Sequence, residues 1–313
     1  FAFELQTEQT ANNCLTAFVR LSCKLRCNGF HLLWIDKNGV LGKKCQILYS
    51  AGTPKTINAK RIMVSLGKSN VQVTPIAFGA WAAGGWMWGG NDHQDSVNAI
   101  RKSIELGITT IDTAPVYGFG LSEQITGEAI KPFRRDEVQL LTKFGLRWDT
   151  TQGSFYFDST DADGKPVKIH RYAGRESVIR ECEESLRRLG TDYIDLLQIH
   201  WADPSTPIAE TMEAVAQLLQ QGKIRAAGVC NYDAAQMAEA LKTVPLASNQ
   251  VPYSMVKRDI ERETVPFCIE HQIGILAYSP LQRGLLTGKI SPDHAFAPGD
   301  HRPTTVHFKP ENI

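Results

Sequence analysis

Seven short apolar runs recur along this chain, and each of them ends on a small or polar residue. Helical segments separate most of the runs, whose end residues are, in order, Gly79, Asp112, Lys143, His200, Asn231, Gln250 and Tyr278. Alternation of strand and helix predicts a parallel sheet with helices outside it. The layout predicts an α/β fold, a (β/α)8 TIM barrel, in which the loops after the strands carry the chemistry.

Seven strand–helix units are one fewer than a closed barrel needs. After Ile290 the sequence is rich in Pro and His, and no eighth strand is predicted before Ile313. An open barrel leaves one strand edge unpaired and part of its interior unfilled. We therefore predict a barrel domain over residues 63–313 that is truncated after its seventh strand.

Residues 1–62 differ from the rest of the chain. They hold four of the seven cysteines, and neither a helical nor an alternating apolar period persists in them. From Met63 the sequence predicts two short strands around a turn at residues 67–70. We interpret residues 1–62 as an N-terminal extension outside the barrel, and the sequence leaves its role open.

Charge and cysteine usage exclude several classes of partner. The chain carries 34 basic and 33 acidic side chains, a net charge of +1, which indicates neither nucleic acid nor a membrane surface as a partner. No apolar run approaches the roughly 18 residues of a membrane span. The cysteines lack metal-ligand spacing, which favours free thiols in a reducing cytoplasm over a metal site. The oligomeric state is not predictable.

Short-range sequence patterns predict the positions of several helices and one loop. Val97, Ile100 and Ile104 recur at helical spacing and predict the buried face of the first helix. Ser122 is predicted to cap the second helix, and Asp233 with Gln236 has the pattern of a capping box. A polar loop is predicted from Trp148 to about Gly174.

Four residues at or just beyond strand ends can do proton-transfer work. Singly, Asp112 is typical of a turn, Tyr117 of a loop and His200 of a satisfied core histidine. Lys143 is harder to dismiss, because an unpaired ammonium at the end of an apolar strand is costly. All four are predicted to face one cleft, and this joint occurrence favours catalysis.

Elementary chemistry suggests a role for each. Asp112 can neutralise and orient Lys143, and the Lys143 charge lowers the pKa of Tyr117 toward the working pH. Tyr117 can then act as a general acid toward a carbonyl oxygen, to which His200 donates a hydrogen bond. No side chain can supply the hydride that such a reduction needs, so a bound nicotinamide is the natural candidate.

The motifs around these residues resemble those of the aldo-keto reductase superfamily over residues 63–302. The matching stretches are residues 111–123, 141–144, 185–200, 223–232 and 276–281. Residues 81–90 and 283–289 are similar to a bacterial branch that includes general stress reductases. Cys230 departs from the pattern, because the family commonly has Ser there.

The resemblance implies an NADP(H)-dependent reductase of small aldehydes or ketones. Its catalytic tetrad would be Asp112, Tyr117, Lys143 and His200, with Tyr117 as proton donor. Asn231 and Gln250 would hold the carboxamide, Tyr278 would stack on the nicotinamide, and Lys289 and Arg302 would be cationic anchors. The full implied cofactor set is Ala80, Trp81, Asp112, Asn231, Gln250, Tyr278, Ser279, Pro280, Leu281, Gln282, Arg283, Lys289 and Arg302.

Alternatives stay open. The family's 2′-phosphate-binding region follows an eighth strand that this sequence does not show, so the choice between NADP and NAD is unresolved. A non-catalytic nucleotide-binding subunit of the same fold and an unstable truncated product are the competing hypotheses. Trp86, Trp88 and Trp201 can line an aromatic substrate pocket or can simply pack.

Overall fold

The structure is a computed structural model that describes residues 33–35, 62–161 and 163–313. Its strands are β1 Leu33–Ile35, β2 Val64–Ser65, β3 Gln72–Val73, β4 Phe78–Gly79, β5 Thr110–Asp112, β6 Gln139–Phe144, β7 Leu146–Arg147, β8 Ser154–Thr160, β9 Pro166–Arg171, β10 Leu196–Ile199, β11 Ala227–Cys230, β12 Leu246–Pro252 and β13 Gly274–Tyr278. Its α-helices are α1 His93–Glu105, α2 Leu121–Ile130, α3 Arg175–Leu189, α4 Ile208–Gln220, α5 Ala234–Leu241 and α6 Thr264–His271.

Seven parallel strands in the described part of the chain form one curved sheet, in the order β4-β5-β6-β10-β11-β12-β13. This confirms the predicted barrel with seven parallel strands. The short strand β1 pairs antiparallel with the free edge of β13, with Trp34 opposite Leu276. The sequence analysis did not predict this strand, because a three-residue run carries too weak a period.

Helices cover the outer face of the sheet. Val97, Ile100 and Ile104 of α1 are buried in the large cluster between helices and sheet, as their spacing predicted. Burial of a side chain of this size contributes roughly 1.5–3 kcal/mol. The predicted turn at residues 67–70 joins β2 to β3, and this hairpin buries Leu66 and Val73 against the end of the barrel interior opposite the site.

Two capping predictions had different outcomes. Asp233 and Gln236 form the predicted capping box at the start of α5. Ser122 is not a cap, because α2 begins one residue before it, after Gly120 with φ 101°. The Ser122 hydroxyl instead donates to the Ala80 carbonyl at 2.7 Å, which ties α2 to the end of β4.

The region predicted as a polar loop between Trp148 and Gly174 contains a β-hairpin. Strands β8 and β9 pair antiparallel, and β9 also pairs with β7 to give a three-stranded sheet. The prediction was wrong because the surrounding polar residues outweighed the aromatic run at 155–157 and the alternating Val167 and Ile169. Neighbouring strands supply the backbone partners that stabilise such a hairpin.

Other expectations concern spans, metals and thiols. No helix in the described ranges is long and apolar enough to cross a bilayer. Within those ranges, no group of three or more His, Cys, Asp or Glu side chains has the arrangement of a metal site. Cys182, Cys230 and Cys268 are free thiols and are buried.

Candidate active site

A buried ion pair lies at the carboxyl ends of β5 and β6. The Lys143 Nζ donates to Asp112 Oδ1 at 2.6 Å and to the Thr113 carbonyl at 2.9 Å. The side chains of Lys143 and Asp112 are 0% and 5% exposed. The Gln250 Nε2 donates to the other carboxylate oxygen, Oδ2, at 2.9 Å. Because each charge has a partner, the low dielectric of the interior strengthens the attraction between the two groups.

Tyr117 lies above this pair in a tight turn between β5 and α2. Its amide donates to the Ala114 carbonyl at 3.1 Å, and its carbonyl accepts from the Ser122 amide at 3.1 Å. The Lys143 Nζ is 5.0 Å from the centre of the phenol ring. The Trp81 indole stacks on the phenol, with ring centres 5.8 Å apart and planes at 24°. The phenol therefore contacts both a cation and an aromatic ring.

The pKa of Tyr117 shifts in the direction opposite to the expectation. Burial raises the pKa of the phenol to about 12, although the Lys143 charge acts to lower it and Asp112 acts to raise it. The cation acts in the predicted direction, but desolvation of the phenolate is the larger effect. Tyr117 is therefore protonated at neutral pH, as a proton donor must be.

His200 follows β10 and packs against Tyr117 edge to face, with ring centres 5.6 Å apart. Burial, and then the Lys143 charge, hold the pKa of His200 well below 6.5. The imidazole is therefore neutral at physiological pH and has one N–H to donate. Its backbone is held from both sides: the amide donates to the Phe144 carbonyl at 2.9 Å, and its carbonyl accepts from Asn231 Nδ2 at 3.1 Å.

A cavity of about 270 Å³ opens beside these rings. The predicted site residues that line it are Trp81, Asp112, Tyr117, His200, Asn231, Gln250, Tyr278, Ser279 and Arg283. Lys143 lies behind the cavity, in contact with Asp112. The structure thus brings catalytic and cofactor candidates from all seven parallel strands, or the loops that follow them, to one rim.

The rim beyond β13 is a sharply turned loop. Ser279, Gln282, Arg283 and Gly284 all have positive φ, between 47° and 101°. The Gln282 amide donates to the Ser279 carbonyl at 2.8 Å and the Gly284 amide to the Leu281 carbonyl at 3.0 Å, which closes the loop on itself. The Arg283 guanidinium lies 5.6 Å from the Trp81 ring centre, at the edge of the cavity. The guanidinium of Arg283 gives this edge of the cavity a positive charge that fits an anionic group.

Tyr278 and Asn231 are joined directly. The Tyr278 hydroxyl donates to Asn231 Oδ1 at 3.0 Å. Asn231 has a φ of 59°, a conformation that Asn tolerates better than most residues. Together with its bond to the His200 carbonyl, this contact fixes the Asn231 amide at the cavity wall.

The remaining predicted cofactor residues lie around the cavity, not in its lining. Ala80 is buried, and its amide donates to the Asp112 carbonyl at 2.8 Å. Leu281 and Lys289 are exposed, and Pro280 and Gln282 are half-buried. Arg302 forms an ion pair with Asp300 at 2.6 Å, so its charge is balanced within the protein.

Aromatic residues form much of the remaining cavity wall. Trp86, Trp88 and Trp201 all line it. The sequence analysis missed Tyr156 and Phe157, which β8 places over the opening, and the aromatic run at 155–157 was the available signal. It also missed His301, whose Nδ1 lies 2.5 Å from the Met87 carbonyl, and no local pattern indicated that contact.

Comparison with known proteins matches the sequence of this chain to one family. The sequence pattern described as "Aldo/keto reductase family" matches residues 75–311. The chain is 42% identical over 239 residues to the aldo-keto reductase YhdN of Bacillus subtilis, covering 76% of this chain and 67% of that protein. It is 38% identical over 255 residues to the NADH-specific methylglyoxal reductase of Escherichia coli, covering 80% and 76%.

Solved structures give the same result. The glycerol dehydrogenase AKR11B4 from Gluconobacter oxydans superposes with a TM-score of 0.70 at 39% identity, covering 80% of this chain and 73% of that one. An aldo-keto reductase from Klebsiella pneumoniae in complex with NADPH gives a TM-score of 0.57 at 31% identity, covering 73% of each chain.

Proposed function

Because the chain belongs to the aldo/keto reductase family, an oxidoreductase family that acts on carbonyl compounds, we propose a specific reaction for it. The protein reduces aldehydes or ketones to alcohols by direct hydride transfer from NADP(H), and Tyr117 is the proton donor. The substrate is a small carbonyl compound that enters the cavity beside Tyr117 and His200.

The observation that carries this proposal is the buried Lys143–Asp112 pair beneath a protonated phenol. Its ammonium and carboxylate atoms are 2.6 Å apart, and the ammonium is 5.0 Å from the centre of the Tyr117 ring. A purely structural ion pair would not require a tyrosine and a neutral histidine beside it at one cavity. Perturbed titratable groups that share a cleft are typical of an active site.

Each residue of the site has its own role in this reaction. The nicotinamide cofactor supplies the hydride when it is bound. Tyr117 gives its hydroxyl proton to the carbonyl oxygen, and Lys143 stabilises the phenolate that remains. Asp112 holds the ammonium in place. The neutral His200 donates a hydrogen bond to the same oxygen and so stabilises the negative charge that develops on it.

Cofactor binding is assigned to residues around the same cavity. Asn231 and Gln250 would hold the carboxamide, and Tyr278 would pack on the nicotinamide ring. The loop from Ser279 to Arg283 would run along the pyrophosphate, with the Arg283 guanidinium at the edge of the cavity. Ala80 and Trp81 would border the cofactor, and Lys289 would add positive charge. Arg302, the other predicted cationic anchor, is already paired with Asp300.

The proteins that resemble this chain differ in their nicotinamide cofactor. A structural neighbour is in complex with NADPH, whereas the Escherichia coli relative is NADH-specific. Initial rates at 340 nm with NADPH and with NADH, at equal concentrations, decide between the two cofactors. We expect NADPH to give the larger kcat/KM.

The test of the reaction uses the same absorbance readout with a panel of aldehydes and ketones. We expect oxidation of the cofactor that depends on the carbonyl compound and is lost in Tyr117→Phe. Saturable NADPH binding without oxidation would instead identify a non-catalytic nucleotide-binding protein. A thermal melt without a cooperative transition would identify an unstable product.

A further inference from the structure

The hairpin β8–β9 forms one wall of the cavity, and a side-chain hydrogen bond joins it to the loop after β4. The Trp86 Nε1, in the loop after β4, donates to the Ser159 hydroxyl on β8 at 3.0 Å. The two residues are 73 positions apart in the sequence. Trp86 also packs on Phe119, with ring centres 5.5 Å apart, and stacks on Phe157 at 6.2 Å and 17°.

The other side of the hairpin is held by backbone pairing and by a second aromatic contact. Residues Leu146 and Arg147 pair with the end of β9. Tyr156 packs on Trp201 with ring centres 5.6 Å apart. The hairpin is thus attached to the barrel at one side by β7, and the Trp86–Ser159 bond joins it to the loop on the opposite side.

The wall that the hairpin and Trp86 form is mostly aromatic, with Trp86, Tyr156 and Phe157 lining the cavity. Trp86 and Ser159 are half-buried, and a tryptophan N–H in such a position usually has a hydrogen-bond partner. Ser159 supplies that partner and so fixes the rotation of the Trp86 ring. The flat face of the ring then lies with Phe157 along the cavity. A hydroxyl-bearing substrate arm would lose its water against the Trp86 and Phe157 rings, because the Trp86 N–H is already bonded to Ser159 and the Phe157 ring has no polar atom.

We propose that Ser159 is a specificity-determining residue that positions Trp86 so that the cavity prefers carbonyl compounds with an aryl arm over polyhydroxylated ones. This inference rests on the proposed function and deepens it by naming the substrate class. Ser159 acts through Trp86 and touches neither the carbonyl nor the cofactor.

The test compares Ser159→Ala with two matched variants. Ser159→Thr keeps the hydroxyl acceptor, and Thr160→Ala removes a hydroxyl from the next, exposed residue of the same strand. Three aldehydes probe the wall: benzaldehyde carries an aryl arm, propanal a short aliphatic arm, and glyceraldehyde carries hydroxyls. Melting temperatures are measured for every variant, so that a general loss of folding is visible.

For the unsubstituted protein we expect kcat/KM to be at least about tenfold higher for benzaldehyde than for glyceraldehyde. In Ser159→Ala the KM for benzaldehyde should rise about fivefold, the scale of one hydrogen bond, with kcat nearly unchanged. Propanal kinetics should not change. Ser159→Thr should retain the benzaldehyde preference, and Thr160→Ala should match the unsubstituted protein.

A binding measurement separates this inference from the proposed reaction. Quenching of tryptophan emission on titration with benzyl alcohol reports occupancy of the wall without turnover. Weaker binding in Ser159→Ala supports the positioning role even if no aldehyde is reduced, in which case the proposed function alone fails. Equal losses for benzaldehyde and propanal, or no change in either assay, would overturn the role of Ser159.

Discussion

The carbonyl of Tyr117 lies so close to Gly84 that a Cβ added there would be 2.6 Å from its oxygen and 2.7 Å from its carbon. Gly84 ends the short 3-10 helix Ala82–Gly84, and the absence of a side chain lets the Tyr117 turn approach it. The position of the proposed proton donor therefore depends on a glycine from another loop.

Gly84→Ala should displace the Tyr117 turn and lower kcat. A shift of a few tenths of an ångström to 1 Å at a reacting group is expected to cost about tenfold to 10²-fold in rate. Steady-state kinetics and an NADPH dissociation constant measure this, and the dissociation constant should change much less than kcat. An unchanged kcat in a folded variant would show that the turn adjusts freely.

Tyr117→Phe should leave cofactor binding nearly intact and lower turnover by roughly 10²-fold or more, the scale of general acid catalysis. Phenylalanine keeps the ring that stacks on Trp81 and removes only the hydroxyl. The measurement is kcat on a good aldehyde substrate, with the NADPH dissociation constant as control. Turnover within a few-fold of the unsubstituted protein would exclude Tyr117 as the donor.

Lys143→Met should raise the pKa of Tyr117 further, because the Lys143 charge acts to lower it. Alcohol oxidation needs the phenolate as proton acceptor, so its rate rises with pH toward that pKa. We expect the oxidation profile of the variant to move to higher pH, with about tenfold less activity at a given pH for each pKa unit. A profile with unchanged shape and position, at measurable activity, would contradict the coupling.

The neutral His200 predicts a flat pH profile for reduction. Its pKa lies well below 6.5 in the folded protein, so the kcat of reduction should not fall as the pH is lowered from 8 to about 6.5. Below that pH, His200 is protonated in the unfolded chain but not in the folded protein. The melting temperature should therefore fall as the pH is lowered. An NMR titration of the His200 ring with a midpoint near 6.5 would contradict this.

A chain that begins at Met63 tests the proposed domain boundary. The catalytic candidates all lie beyond Met63, so its kcat should be close to that of the full chain. Loss of β1 frees the edge of β13, so a lower melting temperature is expected. If the shortened chain does not fold, residues 1–62 belong to the barrel domain.

Much of the fold was predictable because its signals are local. The strand ends at Gly79, Asp112 and Tyr278 agree with the structure, because each apolar run stops at a polar residue or a glycine. The buried face of α1 and the capping box of α5 follow from spacing over a few residues. The parallel arrangement follows from the alternation of strand and helix, which leaves few other topologies.

The sequence by itself determined the barrel class and, through strand ends and family motifs, which four residues meet at the rim. Only the tertiary structure decided the hairpin between Trp148 and Gly174, the raised pKa of Tyr117 and the bond between Trp86 and Ser159. The physical reason is the distance along the sequence between the residues that determine each feature. A strand end depends on its neighbours in sequence, whereas desolvation and a hydrogen bond across 73 residues depend on segments that only folding brings together.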